Sequence, residues 1–397
     1  MDVIEAIAAD APAMVALRRE LHAHPELAFE EHRTSETVAG LLSQWGLEVH
    51  RGLAKTGVVG VLRGARAGRT VGLRADMDAL PITENNAFPH ASRHPGRMHA
   101  CGHDGHTVML LAAARQLARD RSFAGTVVFI FQPAEEGAGG ARKMLEDGLL
   151  ERFPVDAVFG MHNWPGLSVG EFALAPGAVF GGMTDFRMVV RGQGAHAAMP
   201  HLGVDPLPIA CRIVLGMQST AAESPPAAGP SVVSTTLIHG GEATNAIADT
   251  CEIGGTVRYL QREDIDLLTR RMHTLATSTS AASGATCEVH FDRGYPPTVN
   301  DRAATSFVRA VLTDLVGAER VRGFEPTLGA EDFAYYLQQC PGCYFVIGNG
   351  DGAHRPDAAG KGPCLLHNAS YDFNDDLIPL GATVWVKLAQ RWLAKGP

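Results

Sequence analysis

Apolar positions recur every three to four residues over 3–24 and 31–45, which predicts two amphipathic helices, the second ended by Gly46. The rhythm then shortens. Aliphatic, β-branched runs at 57–63 and 70–75 predict strands, followed by a helix from about 106 to 119, a strand "TVVFIF" at 126–131, a helix near 139–150 and a strand "DAVFGM" at 156–161. Strands alternating with helices predict an α/β sheet covered on both faces.

The pattern changes at 184. "DFRMVVRG" reads as a strand, 205–221 as a helix, "SVVSTTLIHG" and "CEIGGTVRYL" as two strands, 262–282 as a helix and "TCEVHFDRG" as a last strand. That β-α-β-β-α-β order is the split βαβ arrangement of small ferredoxin-like domains. Gly- and Pro-bearing segments, "GAVFGG" and "GYPPTVN", flank it as linkers would. From 299 the chain resumes helix, strand, helix. The expected organisation is therefore a first module of 1–183 completed by 296–397, with 184–295 inserted; no internal repeat is visible.

Composition narrows the class. Hydrophobic residues make up 46% and charged residues 19%, without low-complexity tracts, as in a folded globular protein. Net charge is −9 with no Lys/Arg cluster, which argues against a nucleic-acid partner. No apolar run reaches the roughly 18 residues of a membrane span. The N-terminal stretch carries early acidic residues rather than a basic segment followed by an apolar one, so no signal peptide is read there. Seven scattered cysteines, an odd number, argue against a disulfide framework, and the cytoplasm is the expected compartment.

The chemistry concentrates in "MHACGHDGHT" at 98–107, just before a predicted helix. Open α/β sheets place ligands at such junctions. On extended backbone Cys101 and His103 project to one side and can reach one ion. Asp104 and His106 fall elsewhere or in the helix's first turn, where an Asp can satisfy free N–H groups. Other candidates follow other strands: Asp76 and Asp78, Glu135 and Glu136, His162, and His367 near the C-terminus. Each has an ordinary reading, since a lone His is more often structural, a Glu pair solvated and Asp-x-Asp a turn. All of them, however, occupy the same end of their strands. Adjacent glutamates suit a division of labour in which one binds metal and the other moves a proton. Histidine, carboxylate and one thiolate suit zinc, with manganese, cobalt or nickel also accepted. A competing pattern is Cys340, Cys343, Cys364 and His367, whose spacing approaches that of a zinc ribbon; "PGCYFVIGNG" instead predicts that Cys343 is buried in a strand.

With "LHAHPELAFEE", "RADMDALP", "MHACGHDGHT", "PAEEG", "GMHNWP", "GAHAAMPH", "TNAIAD" and "LHNASYDFND" in this order, the chain resembles the amidohydrolases that cleave N-acylated amino acids. That group includes hippurate hydrolases and auxin–amino-acid conjugate hydrolases, within the wider aminoacylase and carboxypeptidase superfamily. The resemblance implies a di-metal hydrolase domain with a mixed sheet between helices and an inserted ferredoxin-like lid and dimerisation domain. It implies that Cys101, His103, Glu136, His162 and His367 bind two divalent ions, that Glu135 is the general base, and that Asp78 supports the ligands. It further implies that His196 reaches the partner subunit's site and steadies the substrate carbonyl, and that Asn245 and Arg258 contact the substrate carboxylate region. Much of the superfamily bridges its metals with a carboxylate, whereas this branch has the Cys101 arrangement. The expected substrate is an N-acyl amino acid, acted on by a homodimer or higher oligomer formed through the lid. A dipeptidase or aminopeptidase, or a silent metal-binding relative, are the alternatives; the latter should lack a ligand or the base, and none is missing.

Overall fold

In the computed structural model, residues 4–222, 230–355 and 360–395 are described; residue 3, the predicted start of the first helix, lies outside them. The chain divides into two compact units, one of Met1–Gly177, Val299–Glu325 and Asp332–Pro397, the other of Ala178–Thr298 and Pro326–Glu331. The second unit is wider than the 184–295 read from the sequence and takes in a short piece of the later chain.

The first unit is built on an eight-stranded mixed sheet. Its first six strands are β1 (Glu48–Leu53), β2 (Gly57–Arg63), β3 (Arg66–Asp76), β4 (Ala124–Gln132), β5 (Ala157–Pro165) and β6 (Phe172–Leu174). Across the sheet they run β1-β2-β4-β3-β5, then Gly342–Gly350, β6 and Val321–Gly323. β4, β3, β5 and Gly342–Gly350 are mutually parallel, while β1 and β2 run antiparallel at one edge. The central strands are buried over continuous runs rather than at alternate positions, the pattern of strands covered on both faces. β1 escaped the sequence reading because it is an edge strand of mostly polar, half-exposed residues.

Helix α1 (Glu5–Ala23), α2 (His32–Gln44) and α3 (His103–Arg119) precede and follow the first strands. α3 packs against α1 and the last helix, Leu377–Leu393. Val108 and Leu111 share one core with Ile378, Val384 and Trp385. α3 begins at His103, three residues before the predicted start, so His103 and Asp104 stand in its first turn. The helix expected near 139–150 is two short ones, Gly140–Glu146 and Leu149–Arg152, separated at Gly148, whose φ of 87° is left-handed.

The second unit has a four-stranded antiparallel sheet ordered Ser231–Gly240, Thr250–Tyr259, Gly182–Arg191, Thr286–Arg293, with helices Pro206–Ala222 and Arg262–Ala281. Phe186, Met188 and Val190 alternate with Arg187 and Arg191 along Gly182–Arg191, so the apolar set joins a core with Ile213, Ile253 and Leu268. The outward arginines pair with Glu252 and Glu288 on neighbouring strands. No helix among the described residues is long and apolar enough to cross a membrane.

Candidate metal centre

The C-terminal ends of the parallel strands carry the chemistry. β3 leads to Asp78, β4 to Glu135 and Glu136, and β5 carries His162 within its C-terminal half. The loop 364–374 after Gly342–Gly350 brings His367, whose N–H donates to the Ala100 carbonyl at 2.8 Å. Cys101, His103 and His162 place donor atoms within 4.8 Å of one another, and so do Cys101, Glu136 and His367. Cys101 belongs to both sets. A third grouping on the same scale is His103, Glu135 and Glu136.

Cys101 and His103 do converge, but not on extended backbone. Gly102 between them has φ 89°, and a Cβ there would sit 2.3 Å from Asn163 Nδ2 and 2.5 Å from the Tyr371 hydroxyl. Asn163 is held by Tyr371, whose hydroxyl donates to Oδ1 at 2.8 Å, and itself donates to the Cys101 carbonyl at 2.7 Å. Only glycine therefore allows this turn to press against the asparagine that anchors it.

The surrounding bonds leave particular lone pairs facing the centre. His103 Nδ1–H donates to Asp78 Oδ1 at 3.2 Å, and the Glu136 backbone N–H donates to Asp78 Oδ2 at 2.9 Å. Buried Asp78 thus orients two of the candidate ligands and fixes the His103 tautomer, as carboxylates behind metal-binding histidines do. His103 Nε2 and Glu136 Oε1 are left buried without a hydrogen-bond partner. Glu136 Oε1 lies 3.2 Å from His367 Nε2 without hydrogen-bond geometry. His162 Nδ1–H donates to the Asn163 carbonyl at 2.6 Å, which turns Nε2 toward Cys101 Sγ, 3.3 Å away. Orphaned buried acceptors of this kind are costly in isolation and fit a bound cation.

Of the electrostatics, the state of His162 agrees with that fit, while Cys101 and His103 must each give up a proton. Burial, with neighbouring His106 adding to it, holds His162 well below its ordinary value and therefore neutral, the form that ligates. Burial, with Glu136, Glu135 and Asp76 adding to it, pushes the Cys101 thiol well up, so its proton must leave when an ion enters. Burial opposes charge on His103, but Asp76 and the Asp78 hydrogen bond outweigh it and raise the ring to about 10.

Asp76, His103 and His106 also lie close together, yet His106 and Asp76 are committed elsewhere. His106 Nδ1–H donates to Asp76 Oδ1 at 2.7 Å, and Nε2 accepts the Asn163 N–H at 2.9 Å. Arg74, buried within β3, donates to Asp76 Oδ2 at 2.6 Å and to Asp332 Oδ1 at 3.0 Å. Among the described residues, Cys340, Cys343 and Cys364 join no such cluster; their thiols lie against the carbonyls of Tyr336, Tyr344 and Asp372.

Glu135 is buried beside the cluster, and its Oε1 accepts the Asp332 N–H at 3.3 Å. His196, Asn245 and Arg258 belong to the second unit. Within it, the His196 strand pairs with Ala246–Ile247, and the Ala197 N–H donates to the Asn245 carbonyl at 3.0 Å. Exposed His196 accepts the Ala198 N–H at Nδ1, so the neutral ring carries its proton on Nε2. Arg258 lies at the far end of Thr250–Tyr259, about 26 Å along the strand from Thr250, the end near His196, at about 3.3 Å per residue.

Asp104 does not cap α3. Its Oδ2 bonds His22 Nδ1 at 2.9 Å and lies 3.5 Å from Arg18, both from α1. Burial opposes charge on His22, but hydrogen bonds to Asp104 and Glu84 raise it from 6.5 to about 9. A raised folded-state value means stability present below about pH 6.5 and lost as pH rises through about 9. His22→Gln should therefore depress the melting temperature more at about pH 6 than at about pH 10. Equal depressions at both would show that the charge of His22 contributes nothing.

Asn163, Arg74 and Asp332, which hold the centre in place, were not singled out in the sequence. Arg74 left a signal, a charge inside an otherwise apolar strand; Asn163 left only its adjacency to His162.

The profile described as peptidase family M20/M25/M40 matches residues 72–391. The chain is similar to IAA-amino acid hydrolase ILR1-like 4 of Arabidopsis thaliana, 37% identical over 385 residues, covering 96% of this chain and 86% of that protein. It is similar to a hippurate hydrolase of Campylobacter jejuni, 36% identical, covering 95% of this chain and 96% of that one. A solved Bacillus subtilis structure described as a dinuclear metal binding peptidase from the M20 family superposes with a TM-score of 0.83 at 32% identity, covering 98% of this chain and 99% of that one.

Proposed function

The chain belongs to peptidase family M20/M25/M40, and from that premise we infer that it is a metal-dependent amidohydrolase that splits N-acyl amino acids into a carboxylic acid and a free amino acid. The observation that carries this reading is the convergence of five donor side chains around unpaired His103 Nε2 and Glu136 Oε1, with Glu135 buried beside them. His103 and His162 would hold one divalent ion, Glu136 and His367 the other, with Cys101 common to both. Zinc, manganese, cobalt and nickel all suit this donor set. Bound divalent ions supply Lewis acidity, which polarises a carbonyl and draws the pKa of water down toward about 7.

The chain's own groups do the rest. Glu135 accepts a proton from the attacking water and returns it to the departing nitrogen. Asp78 keeps His103 and the Glu136 backbone in register throughout. His196, with its proton on Nε2, donates to the developing oxyanion. Arg258 of one copy and Asn245 of another, the latter beside its own His196, bind the substrate's carboxylate region. A small substrate cannot touch both His196 and Arg258 of one chain across about 26 Å, which favours His196 serving a second copy's site. The Ser231–Gly240 strand supports self-association, being a sheet edge with Val232, Leu237 and Ile238 exposed.

The deciding experiment strips the protein of metal, adds back each divalent ion, and screens N-acyl amino acids beside uncapped dipeptides. Turnover of capped substrates alone supports the reading. Preference for dipeptides moves the enzyme to the dipeptidase alternative, and tight metal without any turnover makes it a silent relative.

A further inference from the structure

Glu31 sits at the start of α2, fully buried, and touches none of the candidate ligands directly. Its carboxylate gathers three donors from three separate turns. Oε1 accepts the N–H of Phe29 at 3.0 Å and the N–H of Ala134 at 2.8 Å, and Oε2 accepts the Thr56 hydroxyl at 2.5 Å.

Each of those turns holds left-handed backbone without glycine. Phe29 has φ 63°, Ala54 and Lys55 just before Thr56 have 48° and 68°, and Ala134 has 57°. Among the described residues only one other non-glycine position has a positive φ, and it is His367. L-residues avoid this region because Cβ crowds the backbone, so it persists only where the surroundings impose it. At Phe29 and Ala134 Glu31 holds the backbone N–H of the left-handed residue itself, and beside Ala54 and Lys55 it holds the Thr56 hydroxyl. Two of the turns also meet, the Lys55 ammonium lying 5.0 Å from the Phe29 ring centroid, and the Ala54 N–H is held from outside them by Asp147 at 2.7 Å.

Ala134 immediately precedes Glu135. The orientation of its peptide decides where the side chain of Glu135 leaves the loop, whereas Asp78 separately holds the Glu136 backbone N–H at 2.9 Å. We propose that Glu31 is a positioning residue for hydrolysis, a buried three-way clamp that locks Ala134 left-handed and thereby aims Glu135 at the reacting water. The proposal rests on the reading of Glu135 as base.

Glu31→Gln leaves one acceptor oxygen where two served and turns an NH2 toward the donors. In the metal-loaded enzyme this should lower kcat by about 10- to 100-fold, the scale of a misaimed group. KM and metal content should stay at parental values, since ground-state binding is untouched. Adding Ala134→Gly should recover at least roughly threefold of the loss, because glycine takes that φ without strain. In metal-free protein, Glu31→Gln should speed amide exchange over 133–140. Should that variant misfold, Thr56→Val removes one donor alone and is expected to cost about threefold in kcat at unchanged melting temperature. The clamp is overturned by a folded Glu31→Gln or Thr56→Val with kcat within about twofold of the parent. It is equally overturned by a loss that follows metal content or that Ala134→Gly does not relieve. Glu135→Gln is measured alongside. If that variant alone is inactive, only the clamp fails; if it retains full rate, the base assignment fails instead.

Discussion

Glu135→Gln is expected to lower kcat by about 10²- to 10⁴-fold, the usual contribution of a positioned acid–base group, with metal content unchanged. Gln is nearly isosteric and keeps an acceptor for the Asp332 N–H that bonds Glu135 Oε1, so the loop should hold its shape. What disappears is the ability to take a proton from water and return it to nitrogen. Glu136, the neighbouring carboxylate, cannot substitute: its backbone N–H is pinned by Asp78 and its Oε1 faces His367. Steady-state kinetics paired with metal analysis provides the check. A fully loaded variant within tenfold of the parental rate would remove Glu135 from the mechanism.

The second large effect concerns Cys101. It is the one side chain common to both donor sets, so Cys101→Ala should weaken both ions, whereas His162→Ala or His367→Ala should mainly weaken one. The loss should exceed the roughly 10- to 100-fold typical of deleting an outer partner of a metal ligand, because a direct ligand is gone. Metal per chain after dialysis against a weak chelator separates the cases. Retention of both ions by Cys101→Ala would contradict a shared thiolate. Because a thiolate can be oxidised, peroxide should mimic the substitution.

Much of the fold was legible because period distinguishes its parts. Continuous apolar runs marked β4 and β5, and alternation in "DFRMVVRG" marked a strand with one wet face. β1 was not legible, since an edge strand rich in polar residues resembles a loop. Within the site, the shared end of the strands and the order of the motifs pointed to the donor residues. The local argument for Cys101 and His103 assumed extended backbone, and the structure replaces it with a left-handed Gly102. Asp104 fitted the profile of a helix cap, but its partners come from α1, some 80 residues earlier in the chain. Buried charges such as Glu31 and Asp332 carry no local mark, because their role is set by partners distant in sequence, and Arg74 shows only as a charge inside an apolar strand. His196, Asn245 and Arg258 entered by resemblance alone.

The first unit is stitched from three stretches of chain, and its core is closed by Leu377–Leu393, while the second unit is nearly one uninterrupted run. On the ribosome domains fold largely as units, early ones first, so the inserted unit can mature while its host is still unfinished. Cys101 and His162 are then made 266 and 205 residues before His367, and that last proposed ligand emerges just ahead of the helix that seals the core. On the proposed assignment, completion of the Glu136–His367 set thus belongs to the end of biosynthesis, whereas Cys101, His103 and His162 are all made well before it.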